Sequence, residues 1–504
     1  MPPKFHSEAK LKLFVDYPAN QYSVGKRKSI ALPLIVLTLL CGTAIPAQAL
    51  VLYVDPETNQ VYTTPGKNRV KLGKFKQVEE VETAHSTEDL KELDAKLDKK
   101  IEELKAIETR IEEQQNEVKV VEQQNQEAEK TEPTKKDEKK WYDSYKIGGY
   151  TQFRYNEGIS GDYKDLSSPG DKGIEDDTNF NIRRARLVFS GDITDHLKIY
   201  MQTEFASGDV TVRDMYGDIF FDKKKEFRIR PGLSKIPNSF EILQSSRDRL
   251  AFERADPLSS GIRNERDTGV FFYWTPEKIQ KRFSYLRNND LKGSGDYGVI
   301  GFGVYDGQGI NKHDLNDNVH FAARVTYPFE FSNGQIFETG VFGYTGRFVP
   351  TVGTNNGAGI LTAPIFNKNG YRDERIGFHA VLYPQPFGFQ TEWNWGKSPQ
   401  LNADRTQIVS ADIKGGYVQA MYKIDNAWGV WIPYVKWQTY DGAEKFTTNS
   451  PFSKVRETEV GLEWKIRPEV ELTVAYANMD RTNVKTLEQV KNANIMRFQL
   501  QWMY

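Results

Sequence analysis

The stretch Phe180-Asn-Ile-Arg-Arg-Ala-Arg-Leu-Val-Phe-Ser-Gly191 constrains the chain more than any other, because apolar and cationic residues alternate along it. In an extended strand successive side chains point to opposite faces. Arg184 and Arg186 then share a face with Val188, while Ala185, Leu187 and Phe189 share the other. A soluble sandwich would bury the apolar face in its core, and a membrane barrel would turn it to lipid. Either way the arginines face water. The rest of the chain favours the barrel.

Between Ile147 and Tyr504 strand-like runs fall near 147–155, 180–193, 196–205, 214–221, 226–233, 266–274, 297–305, 318–327, 337–348, 374–383, 388–395, 409–424, 431–440, 456–466, 470–478 and 494–504. Short links such as Thr194-Asp195 and Arg467-Pro468 alternate with long ones such as 233–265 and 349–373. An even set of antiparallel strands, with tight turns at one end and long loops at the other, marks an outer-membrane barrel. With 29 Phe, 25 Tyr and 9 Trp, the chain has the aromatic residues that interface girdles need. Trp393 and Trp395, Trp431 and Trp437, and Trp502 with Tyr504 are read as strand-end members of such girdles. In the last run Met496, Phe498, Leu500, Trp502 and Tyr504 alternate with Arg497, Gln499 and Gln501, the pattern of a strand that closes onto the first. No stretch here reaches the roughly 18 apolar residues of a membrane helix. Gly353 to Gly359, with its pair of asparagines, reads as a flexible loop.

Upstream, Lys26-Arg27-Lys28, the apolar run Ile30 to Ile45 and Ala47-Gln48-Ala49 have the three-part layout of a secretory signal peptide. Residues 1–49 are assigned to it; the long stretch before the basic cluster is an extended n-region, or translation begins later. Cys41, the single cysteine, lies in this run, so the mature chain has neither a disulfide framework nor a thiol site. Residues 50–85 read as a short β-prone spacer, opening with a hairpin around Pro56-Glu57-Thr58-Asn59. From 86 to 130 the period becomes helical, with Leu90, Leu93, Leu97, Ile101, Leu104, Ile107 and Ile111 among Glu, Lys and Gln. Such a narrow stripe implies a self-associating coiled coil with a stutter. A charged linker, 131–145, follows, and the barrel occupies 146–504. After the linker no further helical pattern is expected.

Several segments together resemble the phosphate-selective porin O and P family of Gram-negative bacteria. They are Phe180 to Gly191, Tyr200-Met-Gln-Thr-Glu-Phe205, Arg213-Asp214-Met-Tyr216, Arg230-Pro-Gly-Leu-Ser-Lys-Ile-Pro237, Glu253-Arg254, Arg266-Asp-Thr-Gly-Val270 and Val304-Tyr-Asp-Gly-Gln-Gly309. The resemblance implies an all-β transmembrane barrel of about 16 antiparallel strands, a homotrimer in the outer membrane; the N-terminal α-helical coiled coil before it rests on the helical period and is not explained by the resemblance. It also implies an anion-preferring pore lined by arginine and narrowed by an inward-folded loop. Carried over by position, Arg184 and Arg186 become lumen residues, Lys235 begins the segment 233–265 that would form the inward loop, and Arg254, Arg266 and Asp267 stand at its far end. Asp214 matches an acidic position able to pair with constriction cations.

Guanidinium suits this work, since its forked donors replace the water an anion sheds in a narrow pore. Net charge lends no help: residues 141–504 contain 45 Lys plus Arg and 45 Asp plus Glu. Selectivity has to come from where charges sit. The expected partners are small anions, outer-membrane lipid and lipopolysaccharide, and peptidoglycan through a periplasmic coiled coil; nucleic acid is not expected. Two alternatives stay open, a general weakly selective porin and a barrel that serves mainly as an envelope tether. No enzyme chemistry and no cofactor are implied, because the six histidines are scattered and Gly396-Lys397-Ser398 lacks the upstream glycine of a phosphate loop.

Overall fold

The structure, a computed structural model, describes residues 50–54, 61–62, 70–75, 141–163, 166 and 180–504. The signal peptide assigned to 1–49, the coiled coil assigned to 86–130 and most of the linker lie outside the described residues. The chain divides into two units, Met1–Pro133 and Thr134–Tyr504. In the first, β1 (Leu50–Val54) pairs with β2 (Val61–Tyr62), as the turn residues between them predict, and also with β3 (Val70–Phe75).

The second unit opens with β4 (Tyr145–Ser160), β5 (Phe180–Thr194), β6 (Leu197–Glu204), β7 (Thr211–Phe220), β8 (Phe227–Lys235) and β9 (Arg266–Trp274). It continues through β10 (Ile300–Tyr305), β11 (His320–Glu330), β12 (Ile336–Phe348), β13 (Tyr371–Leu382) and β14 (Phe387–Leu401). Next come β15 (Ile408–Tyr422), β16 (Ile424–Asn426), β17 (Gly429–Ala443), β18 (Phe452–Arg467), β19 (Val470–Thr482) and β20 (Gln489–Met503). Each strand pairs antiparallel with its neighbour, and β20 returns to β4, so the sheet closes. β15 and β16 both pair with β17 and are one strand interrupted at Lys423, which makes sixteen in all. At the seam Gly149 N–H donates to the Tyr504 carbonyl at 2.7 Å. A side chain at Gly149 would meet the Arg186 carbonyl at 2.1 Å and the Tyr504 ring at 2.6 Å, so only glycine lets the seam close this tightly.

The barrel is inside out relative to a soluble domain. Along β20, Phe498, Leu500 and Trp502 are each 38% exposed on the outer face, while Arg497 and Gln501 are 1% exposed within. The same inversion runs through β18, where Val460 and Leu462 face outward between buried Glu459 and Glu463. An apolar outer belt over a charged interior is stable against lipid and not against water.

Three expectations need correcting. Trp393, Trp395 and Trp437 are not strand-end residues, because β14 runs on through Leu401 and β17 through Ala443; Trp393 and Trp437 meet at mid-strand, 6.4 Å between centroids. Residues 353–359 are not a loose loop: Asn355 pairs with Ile360, and Ala358 and Ile360 pack on Leu401 and Ile408. Helix does return after the linker. The link from β9 to β10, on the tight-turn end, contains the twelve-residue helix Glu277–Asn288. Its Ile279, Phe283 and Leu286 recur at steps of four and three and pack with Ile336, Val381 and Tyr383 inside the barrel wall.

Candidate functional site: the segment across the lumen

Between β8 and β9 the chain leaves the wall at Ile236 and rejoins it at Arg266, with two short helices between, α1 (Phe240–Leu243) and α2 (Asp256–Ser259). Its contacts lie on opposite arcs of the barrel, so it runs through the interior. On one arc Leu250, Ala251 and Phe252 pack on Met421, Ile432, Tyr434 and Ala475, and Ile242, Ala255 and Leu258 pack on Phe342 and Tyr417. Wall side chains also satisfy its backbone. Glu392 accepts the Phe240 and Glu241 N–H groups at 2.7 Å each, capping α1 together with Ser239, and Arg375 and Asn394 donate to the Pro257 carbonyl at 2.5 and 2.8 Å. Lys436 pairs with Glu241 at 2.5 Å, and Arg481 with Asp256 at 2.9 Å. Irregular backbone survives at membrane depth only where such partners replace water.

On the opposite arc the contact is electrostatic. The Glu253 carboxylate accepts from Arg154 at 2.9 Å, Arg183 at 2.7 Å and Arg184 at 3.0 Å, with Arg249 at 3.7 Å. Burial alone would raise its pKa, but the guanidinium groups of Arg183, Arg184, Arg154 and Arg249 overcome that and hold it well below the usual carboxylate range. Beside it Arg186 donates to Glu204 at 2.7 Å, Tyr150 at 2.9 Å and Ser246 at 3.1 Å, and Arg213 pairs with the same Glu204. Glu265 bridges Arg254 at 2.6 Å and Arg266 at 2.7 Å, and Arg266 also pairs with Asp214 at 2.9 Å.

A small, partly open cavity lies between this arc and the segment. β5 and β7 contribute Arg183, Arg184, Arg186 and Arg213; the segment contributes Glu253, Arg254, Asp256 and Glu265; the β17–β18 link contributes Glu444. Five guanidinium groups therefore face four carboxyl groups. Burial and the nearby Asp256 raise the Glu444 pKa to about 8 against the pull of Arg481 and Arg375, so at neutral pH it is mostly uncharged. The Nε of Arg213, a residue 7% exposed, has no hydrogen-bond partner. The cavity can hold a small anion against several donors at once.

Of the residues singled out from sequence, Arg184, Arg186 and Arg254 line this cavity, and Arg266 with Asp214 forms the ion pair behind Glu265. Lys235 lies elsewhere: its ammonium donates to the Leu243 and Gln244 carbonyls at 2.7 and 3.0 Å, closing the end of α1. Asp267 accepts the Gly307 and Gly309 N–H groups at 3.0 Å each and so fixes the β10–β11 link. Arg183 escaped the strict two-residue reading. Gln152 pairs with Arg184 and Phe153 with Ile182, leaving Arg183 in a bulge that turns it inward next to Arg184. Two adjacent arginines before an alternating run are the signal that could have shown it. Nothing in the sequence points to Glu444, which reaches the cavity from a loop 180 residues downstream of Arg254-to-Glu265 only through the fold.

A closed antiparallel barrel, apolar outside and charged within, narrowed by its own internal segment, defines a porin-type membrane channel. The chain belongs to the phosphate-selective porin O and P family, whose sequence model matches residues 153–504. It is an outer-membrane porin. No curated protein matches its sequence. Among solved structures it is similar to OmpT of Vibrio cholerae in a trimer form, at 12% identity and TM-score 0.43, over 71% of this chain and 99% of that one. It is also similar to an anion-selective porin from Comamonas acidovorans, at 11% identity and TM-score 0.42, over 72% and 99% of the two chains. The outer-membrane channel DcaP of Acinetobacter baumannii is similar at 12% identity and TM-score 0.43, over 71% and 97%.

Proposed function

We propose that the chain forms an anion-preferring diffusion channel for phosphate or similar small anions, with Arg184, Arg186 and Arg254 as its contact residues. The observation that carries this is the cavity beside the internal segment, where five arginines meet four carboxyl groups and one of those, Glu444, is held mostly neutral. An anion there exchanges hydration for guanidinium donors, and the excess positive charge favours it over a cation. The resemblance adds a homotrimer in the outer membrane, and the helical period of the sequence adds a periplasmic coiled coil over 86–130. A second reading, a general weakly selective porin, is favoured by the carboxylate partner that Arg184, Arg186, Arg254 and Arg266 each possess.

The reversal potential of the purified protein in a planar bilayer, under a potassium chloride gradient, separates the two. Under the first reading it is anion-selective and weakens when Arg184 and Arg186 are changed to Ala. A potential near zero that the substitutions leave unmoved sinks the anion channel and leaves the general porin.

A further inference from the structure

Glu253 holds an unusual position for a carboxylate in a passage meant for anions. It projects from the internal segment, not from the wall, and its two oxygens take the donors of Arg154, Arg183 and Arg184 at 2.7 to 3.0 Å. Arg249 completes the group at 3.7 Å. A planar carboxylate ringed by guanidinium forks is how a protein binds a free anion tightly. Here the anion is part of the chain.

We propose that Glu253 is the specificity-determining residue of the channel, a tethered anion that occupies the strongest arginine cluster and leaves permeant anions only the weaker contacts beside it. Arg186, Arg213 and Arg254 line the same cavity, the buried Nε of Arg213 has no partner, and Arg184 also lines it but already gives one of its guanidinium nitrogens to Glu253. A channel needs sites that an ion can enter and also leave. Four arginines without Glu253 would make a trap; with it, they become a scaffold that orients the neighbouring donors. The inference rests on the anion-channel reading and assigns the residue that sets its affinity and its charge balance.

The test is single-channel conductance against concentration, in potassium chloride and in potassium phosphate, for the wild type and Glu253→Gln. The wild type should conduct almost in proportion to concentration. Gln keeps the shape and removes the charge, so conductance should saturate, with half-saturation at a concentration about tenfold lower, the size of one lost charge-assisted competitor. The reversal potential should move toward the anion side in the same variant. Because loss of Glu253 also removes a tie to the wall, the double change Glu253→Gln with Arg183→Gln is measured too; it restores the charge balance and should return both readouts toward wild type. Heat-modifiable migration on a denaturing gel reports whether each barrel is folded. If Glu253→Gln is folded and neither saturation nor selectivity changes while the wild type is anion-selective, the proposal fails and the channel reading stands. If the wild type shows no anion preference and Glu253→Gln acquires one, the channel reading fails and the role of Glu253 stands. A double variant that saturates like the single one overturns the proposal as well, since charge balance would then not be what Glu253 supplies.

Discussion

Two connections fold into the barrel from opposite ends, and they are held by different physics. The segment 236–265 lies across the lumen with apolar side chains on one arc and the Glu253–arginine cluster on the other. The link 275–299 enters from the tight-turn end with α3 (Glu277–Asn288), whose Ile279, Phe283 and Leu286 join Phe240, Leu291 and Val299 in one apolar cluster. Its charged contacts are the buried pair of Lys292 with Glu463 and, at the edges, Arg282 with Glu330 and Lys465 with Asp290 at 2.7 Å. The two meet where Phe240 enters that cluster and where Gln244 donates to the Lys292 carbonyl at 2.7 Å. On the anion-channel reading proposed above, one connection governs which charge passes and the other how much room remains, so selectivity would be separate from bore.

The largest test of that separation is Phe283→Ala with Leu286→Ala. Each truncation of a buried side chain costs about 2–5 kcal/mol of packing. Single-channel recording should show a larger or less steady conductance at an unchanged reversal potential. A shifted potential would mean that α3 also sets selectivity, and the contrast would collapse.

How much of this was legible beforehand follows the same line. All sixteen strands show in the sequence, because a lipid-facing strand must alternate and residues such as Phe498, Leu500 and Trp502 can do so only as a strand. The helical steps of Ile279, Phe283 and Leu286 were equally present and were masked by their place between two strand-like runs. The path of 236–265 was not legible, since Glu253 and Arg154 are 99 residues apart and their meeting is a product of barrel closure. Lys235 and Arg254 look alike as cations in one loop; only the fold shows one on helix carbonyls and the other on the cavity.

A smaller effect lies in pH. Burial pushes the Glu444 carboxyl up to about 8, so Glu444 adds a negative charge to the cavity as pH rises through that value. The sign follows: the anion-to-cation permeability ratio should fall, by about twofold, as pH rises through about 8. Glu444→Gln should hold the ratio at its low-pH value throughout. A ratio flat with pH in the wild type would remove Glu444 from the selectivity side of the comparison.

The smallest effect is expected from Lys465→Ala. Its pair with Asp290 is partly exposed, and such pairs contribute no more than about 1 kcal/mol. Thermal unfolding and reversal potential should both stay close to wild type, with Lys292 and Glu463 still holding the link. A large loss of either would show that the edge of the link, and not its apolar cluster, keeps it in place.

The internal segment also has a mechanical meaning. A closed sheet with an empty interior has only its own hydrogen-bonded wall to resist lateral pressure from the bilayer. A beam fixed to Glu392, Arg375 and Lys436 at one end and to Arg154, Arg183 and Arg184 at the other resists that compression across its length. The same thirty residues that narrow the passage therefore also brace the wall from within, tying its two arcs to each other.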